Sequence, residues 1–458
     1  MKKIVSILAF ALILSANNNT TDNLSLNEAL DILKSQNLEI KAAKFDVKAA
    51  KEDQKAIQGM NWGKLDFVQD VARSNDAGNV FGFKLTSREA DFNDFGFDEF
   101  LGQMGGLPGN TQQLLATQPK NLNYPGYRNL YQSKLKYEVP LFTGFAITSY
   151  TNIMKEMKKI KSLDKDKTMT EKAYELRKSF YDMALLDSSI KNLEKILQNI
   201  KTLQNTTQEM INVGYAKHVD LLEVKAKKGN VERLLVEMRA NKKLLYHYIS
   251  FLLNKKVDKI IPPVSEVPMP NLTDDEVLSR NIDIQKATTA LEIRKSMLDA
   301  NEAAYYPTVG AFGEVATADD SFLGDASDHK AYTIGARLSW NLFNGGIDSA
   351  KIEQAKIEKM KMRTQVELAK KGIALKLAKI HTELESQNAQ IASLEKELEL
   401  ANAIYENYEG RYKEKIVSMS DVIIKQSAQI EKILQLQVAK NKRIEKIFAL
   451  EKLANGDK

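Results

Sequence analysis

The chain contains two copies of one structural unit, arranged in tandem. The residues PLFTG at 140–144 reappear as NLFNG at 341–345, and the segment NVGYAKHVDLLEVKA at 212–226 aligns with KEKIVSMSDVIIKQS at 413–427. Both pairs are separated by 201 residues, so no insertion lies between them. A constant offset of this kind marks an internal structural repeat. Any fold for this chain must therefore accommodate two similar halves.

Two long stretches of the chain lack proline. Of the nine prolines, none lies between Phe142 and Ile261, and none follows Pro307. Proline costs about 3 kcal/mol inside a helix, and apolar residues in both stretches recur mostly at spacings of 3 or 4. We therefore predict a helix from Gly144 to about Ile211 and its copy from Gly345, each roughly 100 Å long. An ordinary cytoplasmic coiled coil is the alternative, and the strands and signal peptide described next argue against it.

A strand with alternating polarity precedes PLFTG (140–144) and NLFNG (341–345). These two segments are the predicted corners between a strand and a long helix. Residues 131–141 and 332–342 place apolar side chains on one face and polar ones on the other. A partner strand is clear at Val309–Ala316 and weaker at Leu65–Val71 and Phe81–Leu85. About ten residues with one apolar face are typical of a transmembrane β-strand, although a half-exposed soluble hairpin alternates in the same way.

The first copy carries an insertion. The offset between the halves is 244 at NLEI (37–40) and NIDI (281–284) but 201 at the corners, which leaves 43 additional residues in the first copy. They fall in the Gly/Asn/Asp-rich segment from about 73 to 128, which predicts an elaborated surface loop.

The N-terminus has the pattern of a secretory signal. Lys2 and Lys3 precede an apolar run from Ile4 to Leu14, and cleavage is expected near Ala16. This run is shorter than the roughly 20 residues that a membrane-spanning helix needs; a buried N-terminal strand or helix is the alternative. The absence of cysteine excludes a lipid-anchored N-terminus and disulfides. The predicted organisation is a signal peptide, a first repeat, an extended linker and a second repeat, at residues 1–16, 17–260, 261–271 and 272–458.

Four strands in one chain cannot close a barrel. Unpaired strand edges are not tolerated in hydrocarbon, and the smallest bacterial barrels have about eight strands. The chain must therefore complete its barrel with copies of itself. Residue patterns alone leave two, three or four copies open.

Charge and histidine placement argue against other classes of function. The net charge is +6, and lysine alternates with acidic residues along the helices instead of forming a basic patch, so no nucleic-acid partner is expected. The four histidines are scattered, and no Gly-rich phosphate loop or nucleophile motif is present. We predict no catalytic residues, no cofactor and no metal site.

Several motifs together give the chain a family resemblance. They are LSLNEAL at 24–30, the two corners, NVG at 212–214 with Asp220, and Tyr412 with Asp421. With them the chain resembles the TolC family of outer-membrane efflux proteins over nearly the whole mature sequence. The resemblance implies a mainly α fold with a membrane β-barrel portion. Four strands and long coiled-coil helices per chain assemble into a trimeric 12-stranded barrel and a helical periplasmic tunnel.

The function that the resemblance implies is passive export across the outer membrane. The expected partners are further copies of the chain in a homotrimer, outer-membrane lipid, a periplasmic adaptor protein and an inner-membrane transporter. The alternative is that the chain is itself a periplasmic adaptor, since adaptors also contain long helical hairpins. An adaptor would show one hairpin flanked by lipoyl-like Gly-rich strands, whereas this sequence predicts two hairpins in tandem.

The resemblance also implies a gate at the periplasmic tip. Asp421 corresponds to a member of an acidic ring, and Asp220 and Tyr412 correspond to a locking pair. Related chains can carry an arginine and a second aspartate where this one has Val417 and Ile424. An N-capping role is the alternative for both aspartates, since Asp suits helix starts.

The two tip turns are the expected adaptor-docking segments. Their residues are Val213, Gly214, Tyr215, Ala216, Lys415, Ile416, Val417 and Ser418. Lys415 stands where the family usually has a glycine, so the second turn must either differ from the first or be strained.

Overall fold

The computed structural model describes residues 23–105, 111–263, 267–322, 324 and 327–455. The predicted signal peptide and the centre of the predicted linker lie outside these residues. The helices are α1 (Leu26–Gln36), α2 (Leu38–Gly59), α3 (Ala77–Thr86), α4 (Phe97–Met104), α5 (Thr111–Leu115), α6 (Lys120–Asn123), α7 (Ala146–Asn212), α8 (His218–Leu253), α9 (Asp274–Arg280), α10 (Ile282–Glu302), α11 (Ile347–Lys413) and α12 (Met419–Leu453). Within the described residues, none of the helices is both long and apolar enough to cross a bilayer.

The chain divides into two compact units. The helical unit comprises the described parts of 1–49, 159–289 and 363–458, and the strand unit comprises those of 50–158 and 290–362. Each unit takes segments from both sequence repeats, because each repeat supplies its strands to the strand unit and most of its long helices to the helical unit. The predicted repeat boundaries therefore do not coincide with the units and stay a prediction.

The strand unit contains one four-stranded antiparallel sheet. Its strands are β1 (Lys64–Ser74), β2 (Arg128–Phe142), β3 (Thr308–Asp319) and β4 (Lys330–Ser339), in the order β1-β2-β3-β4. The prediction of four strands, two from each repeat, is confirmed. The first and last strands, β1 and β4, are the edges of the sheet.

The two faces of the sheet differ sharply in chemistry. One row of directly paired residues across all four strands is apolar: Phe67, Leu135, Val315 and Tyr332. These side chains are 69%, 46%, 56% and 80% exposed. The next row, on the opposite face, is polar: Asp66, Lys136, Glu314 and Thr333. Successive side chains of a strand point to opposite faces, so the alternation in the sequence separates apolar from charged surface.

The predicted strand at Phe81–Leu85 is wrong, because these residues lie within α3. Asp76 caps this helix, since its side chain accepts a hydrogen bond of 3.0 Å from the Asn79 backbone N–H. The apolar pieces of this short segment fit a helical turn as well as a strand, and the capping aspartate decides between them. The predicted loop at about 73–128 thus includes α3 to α6 among its described residues.

The two longest helices agree closely with prediction. Both α7 and α11 contain 67 residues, and their ends lie within two residues of the predicted positions. Each follows a glycine with positive φ, Gly144 at 60° and Gly345 at 70°. A Cβ on Gly144 would come 2.6 Å from the Ala303 carbonyl oxygen, so that corner requires glycine.

The repeat is also visible in individual hydrogen bonds of the helical unit. The Asn37 side-chain amide donates to the Leu252 carbonyl at 2.8 Å, and Asn281 donates to the Leu453 carbonyl at 3.0 Å. In each case the asparagine side-chain oxygen also accepts a backbone N–H at the start of the next helix, α2 or α10. The two equivalent asparagines therefore join the start of α2 to the end of α8 in the first repeat, and the start of α10 to the end of α12 in the second.

Candidate functional site

The two tip turns have the same backbone structure. In the first tip (residues 213–217, between α7 and α8), Gly214 N–H donates to the Ile211 carbonyl at 3.0 Å and Tyr215 N–H to the Met210 carbonyl at 2.7 Å. In the second tip (residues 414–418, between α11 and α12), the residues 201 positions later make the same two bonds, both at 2.9 Å. The sequence repeat thus extends to the hydrogen bonds of the tips.

Lys415 adopts the conformation of the glycine that it replaces. Its φ is 64°, against 79° for Gly214. The second turn therefore does not differ from the first but places a lysine in the left-handed region, which costs L-residues roughly 1–2 kcal/mol. The Lys415 ammonium nitrogen lies 3.3 Å from the centroid of the Tyr215 ring. This cation–π contact joins the two tips and offsets part of the strain.

We expect the Lys415–Tyr215 contact to couple the mobility of the two tips. Tyr215→Leu removes the contact, which at an exposed site contributes about 0.5–1 kcal/mol, and should speed hydrogen exchange of backbone amides in both tips. In a Lys415→Gln background the same substitution should add no further increase. Val213→Ala, at another exposed position of the first tip, is the control and should leave exchange in the second tip unchanged. Equal effects of Tyr215→Leu in both backgrounds would refute the coupling.

Both tip aspartates cap helices. The Asp220 carboxylate accepts the Lys217 backbone N–H at 2.8 Å at the start of α8. The Asp421 carboxylate accepts the Ser418 N–H at 3.1 Å and the Ser418 hydroxyl at 2.6 Å, while the Ser418 oxygen accepts the Asp421 N–H at 3.2 Å. This reciprocal arrangement is a capping box with Ser418 at the N-cap. The predicted N-cap position of the aspartates is therefore wrong, because Lys217 and Ser418 occupy it, and the aspartates take part in capping from the third helical position. The gating role stays a prediction.

Capping keeps Asp421 ionised. The hydrogen bond from the Ser418 hydroxyl, followed by that from the Ser418 backbone N–H, lowers the pKa of Asp421 below its ordinary value. Because the folded pKa is depressed, the cap contributes its full stabilisation above the ordinary aspartate pKa, and the stabilisation is lost as pH falls through the folded value. The carboxylate is charged at neutral pH, as an acidic ring requires.

Tyr412 is buried and hydrogen-bonded to Thr207. Its hydroxyl lies 3.3 Å from the Thr207 side-chain oxygen, and its side chain belongs to an apolar cluster near the tips with Tyr405 and Val422. Burial raises the pKa of Tyr412, with a smaller opposing effect from the Thr207 bond and a further increase from the nearby Asp220 carboxylate. The residues of the predicted locking pair are thus neighbours, but within this chain each forms its described hydrogen bond with another residue. Their role as a lock stays a prediction.

Sequence reasoning missed the polar contacts that join α8 and α12. The Ser420 hydroxyl donates to the Glu223 carboxylate at 2.5 Å, and the Lys227 ammonium lies 2.5 Å from the Ser427 hydroxyl oxygen. Burial lowers the pKa of Lys227. These residues lie within two helical turns of the capping aspartates. Polar residues at such short spacing from both tips were the sequence signal that could have predicted the contacts. They connect α8 and α12, the helices that follow the two tip turns, close to those turns.

Comparison with known sequences gives a match in the second half of the chain. Residues 275–456 match the sequence model of the outer membrane efflux protein family. The putative multidrug resistance outer membrane protein MdtQ of Escherichia coli (strain K12) is 26% identical over 177 residues, which are 36% of this chain and 37% of that protein. The matched region therefore spans little more than a third of this curated relative.

Solved structures match over almost the whole chain. The structure of CusC, reported for its folding and transmembrane channel formation, matches with a TM-score of 0.77 and 14% identity, covering 95% of this chain and 92% of that one. The outer membrane protein VceC of Vibrio cholerae matches with a TM-score of 0.74 and 13% identity, covering 94% and 96%. The fold of this chain is the one seen in these solved structures, mainly helical with a small antiparallel sheet. The second repeat carries the sequence signature of the outer membrane efflux protein family, and the resemblance seen in the sequence is confirmed.

Proposed function

We propose that three copies of this chain form an outer-membrane channel that passively conducts substrates from the periplasm to the outside. The observation that carries the proposal is the apolar row across the sheet, Phe67, Leu135, Val315 and Tyr332. All four side chains are exposed in the single chain, while the opposite row is charged, with Lys136 and Glu314 paired at 3.3 Å. An apolar face toward lipid and a polar face toward water are what a membrane-spanning strand needs.

The open edges of the sheet support assembly from several copies. Within the described residues, β1 and β4 each pair with a neighbour on one side only. Their outer backbone groups need partners in hydrocarbon. Pairing β4 of one copy with β1 of the next satisfies these groups and closes a ring. The likeness to solved outer-membrane channels supports three copies, which give twelve strands.

The tips support docking to a periplasmic adaptor, which in turn contacts an inner-membrane transporter. Val213, Tyr215 and Ile416 are all exposed large apolar residues, and they lie on the two turns that follow α7 and α11. Such residues at the end of a long helical hairpin fit a partner with complementary apolar surface. The alternative, that this chain is itself an adaptor, is disfavoured because it contains two hairpins and a four-stranded sheet.

Membrane fractionation and native mass measurement test the proposal. We expect the protein in the outer-membrane fraction as an SDS-resistant trimer, because four strands leave two open edges. The purified trimer should also give stepwise conductance in planar bilayers. A stable monomer in the soluble periplasmic fraction would overturn the proposal.

A further inference from the structure

We propose that Glu89, Asp319 and His329 form a binding site for a divalent transition-metal cation such as zinc. Glu89 follows α3, Asp319 ends β3, and His329 immediately precedes β4. Each of the three offers a ligand atom, and these atoms all lie within 4.8 Å of one another. The site belongs to the strand unit, at the end of the sheet where β2 begins.

The hydrogen bond made by His329 leaves one ring nitrogen available for a metal. Its Nδ1 lies 3.2 Å from the Ala318 carbonyl oxygen. Because a carbonyl oxygen only accepts, Nδ1 must carry the hydrogen in this contact, and Nε2 of the neutral ring keeps its lone pair. Metal-binding histidines commonly donate their other N–H to a backbone carbonyl in this way. The ring nitrogen of His329 that would not bind the metal therefore already has its hydrogen-bond partner, the Ala318 carbonyl.

The Asp319 carboxylate is unusually buried, since the residue is only 4% exposed. One of its oxygens accepts the backbone N–H groups of Asp320 at 2.6 Å and Ser321 at 3.3 Å. These donors fix the direction of the carboxylate. The carboxylate therefore has a fixed position beside the other two ligand atoms.

The charges around the site favour a divalent cation. Arg128 bonds to Glu89 and lies 3.7 Å from Asp320. The three carboxylates of Glu89, Asp319 and Asp320 exceed the single guanidinium by two negative charges. An imidazole with carboxylates suits zinc and similar first-row metals, whereas magnesium and calcium prefer oxygen ligands alone. Three protein ligands leave a fourth position for water.

A bound cation would link two separate parts of the strand unit. Glu89 lies in the additional segment of the first repeat, and Asp319 and His329 flank the connection between β3 and β4. The competing interpretation is an ion-pair network centred on Arg128 with no metal. The two interpretations predict different effects of removing the arginine, namely tighter zinc binding at a metal site and no zinc binding in an ion-pair network.

Isothermal titration of the full-length protein in detergent with zinc and with magnesium tests the site. We expect one zinc per chain and much weaker magnesium binding. His329→Gln and Asp319→Asn should each weaken zinc binding by about tenfold or more. His381→Gln is the matched control, because His381 lies 3.4 Å from the Asp274 carboxylate in the helical unit and should leave this binding unchanged.

Arg128→Gln gives a test in the opposite direction. It removes the positive charge and releases Glu89, so zinc should bind more tightly than in the parent, a gain that a misfolded variant cannot produce. In an ion-pair network without metal, the same substitution creates no zinc affinity. The proposal is overturned if the parent binds no zinc, if His329→Gln titrates like the parent, or if Arg128→Gln weakens binding.

Discussion

Leu135→Arg should prevent assembly of the protein in the outer membrane. Leu135 lies at the centre of β2, in the apolar row that pairs with Phe67 on one side and Val315 on the other. An arginine facing lipid near the middle of the bilayer costs about 2–4 kcal/mol, and a trimer incurs that cost three times. We expect the SDS-resistant trimer in the outer-membrane fraction to fall by about tenfold or more.

A matched substitution on the opposite face is the control. Gln132 lies on the same strand, three residues earlier, so its side chain points to the polar face. Gln132→Arg adds the same side chain there, where water and the neighbouring charged residues accommodate it, and the trimer should persist. If the two variants assemble equally well, the apolar row does not face lipid and the proposed membrane role of the sheet is wrong.

The fold could be predicted largely because two independent patterns agree. The repeat fixes the positions of equivalent elements, and the absence of proline permits helices of the observed length. Both long helices end within two residues of prediction because glycine corners and tip turns bound them on each side. The segment Phe81–Leu85 was mispredicted because it is short and has no repeat partner in the second half. There, a single capping residue, Asp76, determines the outcome.

The candidate site was predictable only in its local part. Capping by Asp220 and Asp421 depends on residues three positions away, which sequence spacing specifies. The partner of Tyr412 was not predictable, because Thr207 is 205 residues distant and their contact depends on how α7 packs against α11. The contact between Lys415 and Tyr215 likewise depends on the relative placement of two hairpins. Side-chain pairs between elements follow from packing geometry, which residue patterns in one chain do not specify.

Asp421→Asn should reduce the cation selectivity of the channel without unfolding the tip. In a symmetric trimer the three Asp421 carboxylates occupy equivalent positions around one axis, and grouped negative charges raise the local concentration of cations. The asparagine side-chain oxygen can still accept the Ser418 N–H, so this substitution removes the charge and largely keeps the helix cap. Reversal potentials across planar bilayers in a salt gradient measure the selectivity.

Two further variants separate charge from structure in this experiment. Asp421→Ala removes both charge and cap, so it should lower selectivity to the same extent while also speeding hydrogen exchange at the start of α12. Tyr412→Phe removes the hydroxyl that bonds to Thr207 but no charge, so selectivity should stay unchanged while the fraction of time spent open rises. The Thr207 hydroxyl still donates to the Leu203 carbonyl at 2.7 Å, which limits the destabilisation of the helix pair. If Asp421→Asn leaves the reversal potential at the parent value, Asp421 serves only as a capping residue and the acidic ring does not exist in this protein.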